Sequence, residues 1–130
     1  MQRLLAACLA LLAMALSPPA WSAPTEHTFL VPTTSSLAEL CADKAATDPM
    51  MTAAQNFCEG YLVGAYQVLA QVNAGLGKEA FCIPTPAPTR AQAIAEFLQW
   101  VDANPNEGTR PPVDGLYEFL TQRFPCPARQ

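Results

Sequence analysis

The sequence predicts an all-α protein, a small single-domain bundle of four main helices stapled by two disulfides. Apolar residues recur at three- and four-residue spacing in four segments, and prolines stand between those segments. No stretch keeps the two-residue alternation of a half-buried strand. Once an N-terminal leader is set aside four cysteines remain, none of them paired at a spacing that suits a metal or thiol redox chemistry.

The chain has 130 residues and a formal charge of −4. Met1-Gln2-Arg3 is a short basic start, and Leu4 to Leu16 is an unbroken apolar run of 13 residues. Ser17-Pro18-Pro19-Ala20-Trp21-Ser22 then breaks the helix, with Ala20 and Ser22 at the small-residue positions that a signal peptidase needs. Residues 1–22 therefore read as a cleaved secretory signal peptide, and the mature chain is expected to begin at Ala23. The run falls short of the roughly 20 residues of a membrane-spanning helix, and no later segment comes closer. Leu5-Ala6-Ala7-Cys8 resembles a lipoprotein box, but its apolar segment would be only Leu4 to Ala7, which disfavours lipidation at Cys8. Loss of 22 residues leaves 108 and removes Cys8 and Arg3, so the charge becomes −5. A nucleic-acid surface would need clustered Lys or Arg, which the chain lacks. The size suits one domain with a modest core, for which cross-links are useful.

Residues 23–34 read as a flexible N-terminal arm, and the helical domain follows from 35 to 130. The first helix is expected over about Leu37 to Ala46, with Ser36 and Glu39 in a capping-box pattern and Asp48-Pro49 as its stop. The second, about Thr52 to Asn73, is the longest. Ala54, Cys58, Tyr61, Ala65, Val68 and Val72 form its apolar stripe, opposite Gln55, Glu59, Gln67 and Gln71, and Gly75 and Gly77 are expected to end it. The third opens at Thr89 with a capping box through Gln92, buries Ile94, Phe97, Leu98 and Val101, and stops at Asn104-Pro105. The fourth follows Pro111-Pro112 and shows Val113, Tyr117, Leu120 and Phe124 on one face.

The mature cysteines are separated by 16, 23 and 43 residues. In an exported chain this favours disulfides over metal ligation. Four cysteines allow three connectivities, and the helix map chooses among them. Cys41 and Cys58 lie at similar distances on either side of the first turn, so an antiparallel hairpin sets them opposite each other. Helices two and four end at the same end of an up-and-down bundle, and Cys82 and Cys126 follow those ends. The predicted pairs are Cys41 with Cys58 and Cys82 with Cys126.

Signals for catalysis are sparse. His27 is the only histidine and sits in the arm, Thr33 to Ser36 read as arm and cap, and Glu59, Glu96, Asp102 and Glu118 fall on polar faces of separate helices. No phosphate loop or nucleophile elbow occurs. No catalytic residue, cofactor or metal is expected. Gly60, Tyr61 and Gly64 stand out, because glycine inside a helix costs about 1 kcal/mol against alanine and here two occur one turn apart. Their direct use is close approach of another backbone, within the bundle in the first instance or across a dimer interface in the second. Phe97, Trp100, Tyr117 and Phe119 read as core.

Leu40-Cys41, Phe57-Cys58-Glu59-Gly60-Tyr61-Leu62-Val63-Gly64, Phe81-Cys82-Ile83-Pro84, Gln92 ahead of Phe97-Leu98, Asn104-Pro105 and Phe124-Pro125-Cys126, in that order, resemble the Rap/Tai family of type VI secretion amidase-immunity proteins. The resemblance runs from about Leu37 to Cys126, and Phe119 departs from it where a small residue is expected. It implies a small exported helical protein, often a homodimer, that binds and blocks a peptidoglycan amidase effector in the periplasm with no chemistry of its own. The matching motifs carry the scaffold and not a target, so no contact residue is transferred. The competing reading is a stand-alone periplasmic structural or stress-protective protein that holds clients or assembles with itself.

Overall fold

A computed structural model describes residues 24–42 and 48–128. The expected signal peptide, Cys8 and residues 43–47, which include the last turn assigned to the first helix, lie outside the described residues. Four helices follow one another: α1 (Thr34–Cys41), α2 (Pro49–Gly75), α3 (Arg90–Ala103) and α4 (Pro112–Arg123). Short 3₁₀ turns occupy Glu26–Leu30 and Glu107–Thr109, and there is no strand among the described residues.

The short helix α1 is the hub, packed against each of the other three and against the 107–109 turn. It begins three residues before the expected start. Thr33, not Ser36, is its cap, its hydroxyl accepting from the Ser36 N–H at 3.2 Å. Thr34 fixes this choice, because it is fully buried and its N–H donates to the Arg110 carbonyl at 2.8 Å, with its hydroxyl donating to the same oxygen at 3.0 Å. Leu37, Leu40 and Cys41 then face the core, while Glu39, the expected capping partner, stays exposed.

Asp48-Pro49 opens α2, where the sequence suggested only a stop. The Asp48 carboxylate accepts from the Met50 N–H at 2.8 Å, and Pro49 occupies the first helical position, where its missing N–H costs nothing. The helix runs 27 residues, about 40 Å at 1.5 Å per residue. Its neighbours have 8, 14 and 12 residues, so none of them spans it. Ala54 and Cys58 are buried and Tyr61 and Ala65 half-buried, but Val68 and Val72 are 61% and 57% exposed. The expected buried stripe therefore holds only over the first half of α2. Neither glycine caps the far end: Gly75 is still helical, and Leu76 caps in extended geometry. Asn73 organises the return instead, its carbonyl oxygen accepting from Ala80 N–H at 2.7 Å and its amide donating to the Phe81 carbonyl at 2.8 Å.

The capping box of α3 forms as read. The Thr89 hydroxyl accepts from the Gln92 N–H, and the Gln92 side chain accepts from the Thr89 N–H. In α4 the buried face is rotated by about one residue, or 100°, from the expected one. Leu120 and Phe124 are buried as expected, joined by Leu116 and Phe119, while Val113 is 40% exposed and Tyr117 half-buried. Gly115 sets the rotation. A Cβ there would lie 2.6 Å from the Thr34 methyl and 2.9 Å from its Cβ, so this face must meet α1 without a side chain. Phe119, the departure from the family pattern, is a centre of the core, with its ring edge-on to Phe97 at 5.6 Å and to Phe124 at 6.1 Å.

Both disulfides join the predicted partners, with Cα atoms 5.1 Å apart for Cys41–Cys58 and 4.8 Å for Cys82–Cys126. The second is reinforced by the Cys82 N–H donating to the Phe124 carbonyl at 2.8 Å. Residues 24–33, expected as a flexible arm, fold back on the bundle over their described length. Val31 is buried, and the Phe29 ring meets Phe57 of α2 edge-on at 5.5 Å.

Candidate functional site

Among the described residues Arg90, Arg110 and Arg123 form partly exposed ion pairs. Arg90 joins α3 to Glu59 of α2 at 2.8 Å, and Arg123 of α4 grips both carboxylate oxygens of Glu96 on α3. Arg110 meets Glu107 at 2.9 Å and Glu118 at 3.5 Å; the Glu107 hydrogen bond comes first among the causes that raise the guanidinium above its ordinary pKa. Such pairs orient surfaces and contribute little energy. His27 is exposed on the 26–30 turn. Glu79, Cys82 and Cys126 place ligand-type atoms within 4.8 Å of one another, but both sulfurs are bonded to each other and offer no thiolate.

The surface of α2 has a different character. From Gly60 to Gly77 the chain has 18 residues and no charge. Gly60 and Gly64 are exposed, and a Cβ on either would meet nothing within 4 Å. The first expectation for them, close packing inside the bundle, is thus corrected. Among the described residues no element approaches them, because the shorter helices pack on the other side of α2. Tyr61, between them, is half-buried with its ring 6.0 Å from that of Phe57, and burial raises its phenol above the ordinary value of 10.0. Phe57, Tyr61, Gly64, Val68 and Val72, at steps of four, three, four and four, make one continuous flank. It is apolar, uncharged and uncovered toward its C-terminal end. Contiguous exposed apolar surface of this kind marks an interface, and depletion of charge is the compositional mark of an interface core. The run of 18 uncharged residues was the sequence signal for it; helical periodicity alone assigned Val68 and Val72 to the core.

The four cysteines tie this flank to the rest of the bundle. Cys41–Cys58 clamps α1 to the buried side of α2 one turn below Tyr61, and Cys82–Cys126 joins the chain beyond α2 to the end of α4. The family model of Rap1a immunity proteins matches residues 33–126. The chain belongs to the Rap1a immunity protein family. That span begins at Thr33, the cap of α1, and ends at Cys126, the last bridged cysteine. The family unit is thus the whole stapled bundle, without the turn at 26–30. Beyond this match, no curated protein and no solved structure matches the chain. Membership in the Rap1a family implies an immunity protein of type VI secretion, which binds a cognate effector and inhibits it without catalysis. No helix of the described residues is long and apolar enough to cross a membrane.

Proposed function

We propose that the protein is exported by a cleaved signal peptide and acts in the periplasm, where it binds a peptidoglycan amidase effector and blocks it by occupancy. The observation that carries this reading is the match of the Rap1a family to the complete bundle, Thr33 to Cys126. Two disulfides support an oxidising compartment. The test is to co-purify the oxidised protein with candidate amidases and to measure peptidoglycan cleavage. A stoichiometric complex and suppressed cleavage are expected for the cognate enzyme. Unaltered cleavage and no complex at micromolar concentration across a panel of such amidases would remove the amidase as target.

The flank around Gly60, Tyr61 and Gly64 is proposed as the contact of a homodimer. Two helices approach closely where neither has a Cβ; this flank lacks charge, and at Gly60 and Gly64 nothing lies within 4 Å of where a Cβ would be. Gly64→Arg is expected to shift sedimentation from dimer to monomer with unchanged helical circular dichroism. A wild-type protein that sediments as a monomer at about 100 μM, well above the micromolar range of specific pairs, sinks the contact. The same exposed apolar flank keeps a second reading in view, that of a stress protein holding unfolded clients. Suppression of the heat aggregation of unrelated proteins would favour it, since a specific immunity protein leaves them unprotected.

A further inference from the structure

Of the two bridges, Cys82–Cys126 is the one open to a thiol in solution. Both of its cysteines are half-buried, and Cys82 lines an open cleft of about 510 Å³ with Pro84, Pro86 and Arg123. One acidic side chain stands against it. The Glu79 Oε2 lies 3.8 Å from the Cys82 Sγ, and a carboxylate oxygen and both sulfurs fall within 4.8 Å of one another. An oxidised sulfur has no proton to give, so this contact is not a hydrogen bond.

The backbone on the far side of the α2 return holds Glu79 in place. Asn73 accepts from the Ala80 and Phe81 N–H groups at 2.7 and 3.3 Å, and the Cys82 N–H donates to the Phe124 carbonyl at 2.8 Å. The three residues after Glu79 are therefore pinned, and the bridge with them. Nearby cations leave the carboxylate uncompensated. Arg123 donates through Nε and Nη2 to Glu96, which lines the same cleft, so that pair brings no net charge. Lys78 is exposed, and no ion pair among the described residues joins it to Glu79.

Reduction of the bridge is an anionic reaction. A thiolate bonds to one sulfur, the Cys82–Cys126 bond breaks, and the other cysteine leaves as a thiolate; a second thiolate then displaces the mixed disulfide, giving two cysteine thiolates and one reagent disulfide. Both steps gather negative charge beside Glu79. We propose that Glu79 guards the Cys82–Cys126 bridge, its fixed charge slowing attack by thiolates and most of all by thiols that carry a further negative charge. Charge thus protects the accessible bridge where burial protects Cys41–Cys58, whose cysteines are 6% and 2% exposed. The inference rests on neither the immunity nor the dimer reading.

In the test, the oxidised protein is treated with excess mercaptoacetate, mercaptoethanol or cysteamine, alkylated at intervals and mapped for free Cys82 and Cys126. Each reagent is compared with itself on wild type and on Glu79→Gln, so its own reactivity cancels. Unit charges about 4 Å apart in water change a rate about fivefold, and mercaptoethanol at low salt should gain about that much on Glu79→Gln. Mercaptoacetate should gain more, and cysteamine, whose ammonium offsets its thiolate, should gain least. In salt of about 1 M, where screening acts over about 3 Å, the gains should close. Glu79→Lys should extend the trend, and Glu39→Gln, which removes the same charge from α1, should have a smaller effect. No gain with mercaptoacetate on Glu79→Gln overturns the proposal. A gain equal for the three thiols, or one that survives high salt, overturns it too, because a loosened turn would act in that way. An equal effect of Glu39→Gln overturns it in favour of the charge of the whole chain.

Discussion

Asn73 is the residue on which the far end of α2 depends. It is 5% exposed, and its side chain serves the Ala80 N–H, the Phe81 N–H and the Phe81 carbonyl, groups that no helix or strand would otherwise satisfy. An unsatisfied buried polar group costs about 1–3 kcal/mol, and Asn73→Ala exposes more than one to that fate. Chemical denaturation should show a loss at the upper end of that range; a loss under about 0.5 kcal/mol, the level of an ordinary surface change, would show that water replaces the amide. Tyr61 gives a pH signature. Burial raises its phenol, so the stability it lends is complete below the unfolded value of 10.0 and is lost as pH rises through the higher folded value. Tyr61→Phe is therefore expected to flatten the alkaline loss of stability above about pH 10 while leaving the neutral region alone. An alkaline limb of unchanged slope would reject Tyr61 as its source.

At the scale of elements, Gly60 and Gly115 make opposite predictions from the same residue type. Gly60 faces open space within the single chain, so in protein dilute enough to be monomeric Gly60→Ala gains helix propensity, up to about 1 kcal/mol. Gly115 sits against Thr34 at the α1–α4 crossing, so Gly115→Ala overpacks a buried contact at about 1–3 kcal/mol. Denaturation midpoints that move in the same direction would refute the packing described. The two glycines look alike in sequence, since tertiary neighbours and not local pattern separate them. The same division explains what was legible. The number of helices, the capping box at Thr89, the proline start of α4 and both disulfide pairs follow from local chemistry and from an up-and-down path. The start of α1 was misread because four adjacent hydroxyl residues can all cap a helix, and only the buried bond from Thr34 to Arg110 selects Thr33. The buried face of α4 was legible at Leu120 and Phe124 but not at Leu116 and Phe119, because Gly115, which carries no hydropathy signal, sets its rotation. Gly60 and Gly64 were legible as unusual, but their exposure depends on the unequal lengths of the helices around them.

For the whole molecule, the two bridges divide the work by position. Cys41–Cys58 spans 17 residues and Cys82–Cys126 spans 44, so chain entropy alone assigns about 3 and about 4 kcal/mol to them. Access ranks them the other way. Cys41 and Cys58 are 6% and 2% exposed inside the α1–α2 contact, whereas Cys82 and Cys126 are half-buried at the open end of the bundle. Thiol attack on a disulfide needs a line of approach to a sulfur, so under native conditions the more stabilising bridge is also the more vulnerable one. Graded reduction followed by alkylation and peptide mapping should label Cys82 and Cys126 first. That intermediate should keep its helical circular dichroism, because α1 remains clamped to α2 and the Phe97–Phe119–Phe124 ring contacts do not depend on the second bridge, and it should unfold about 4 kcal/mol more easily. Only global opening exposes the buried pair, so labelling of Cys41 and Cys58 should follow the unfolding rate and become independent of reductant concentration once attack outpaces refolding. Cys41 and Cys58 labelled first, or all four together at the lowest effective reductant, would mean that the α1–α2 contact opens more readily than its burial implies.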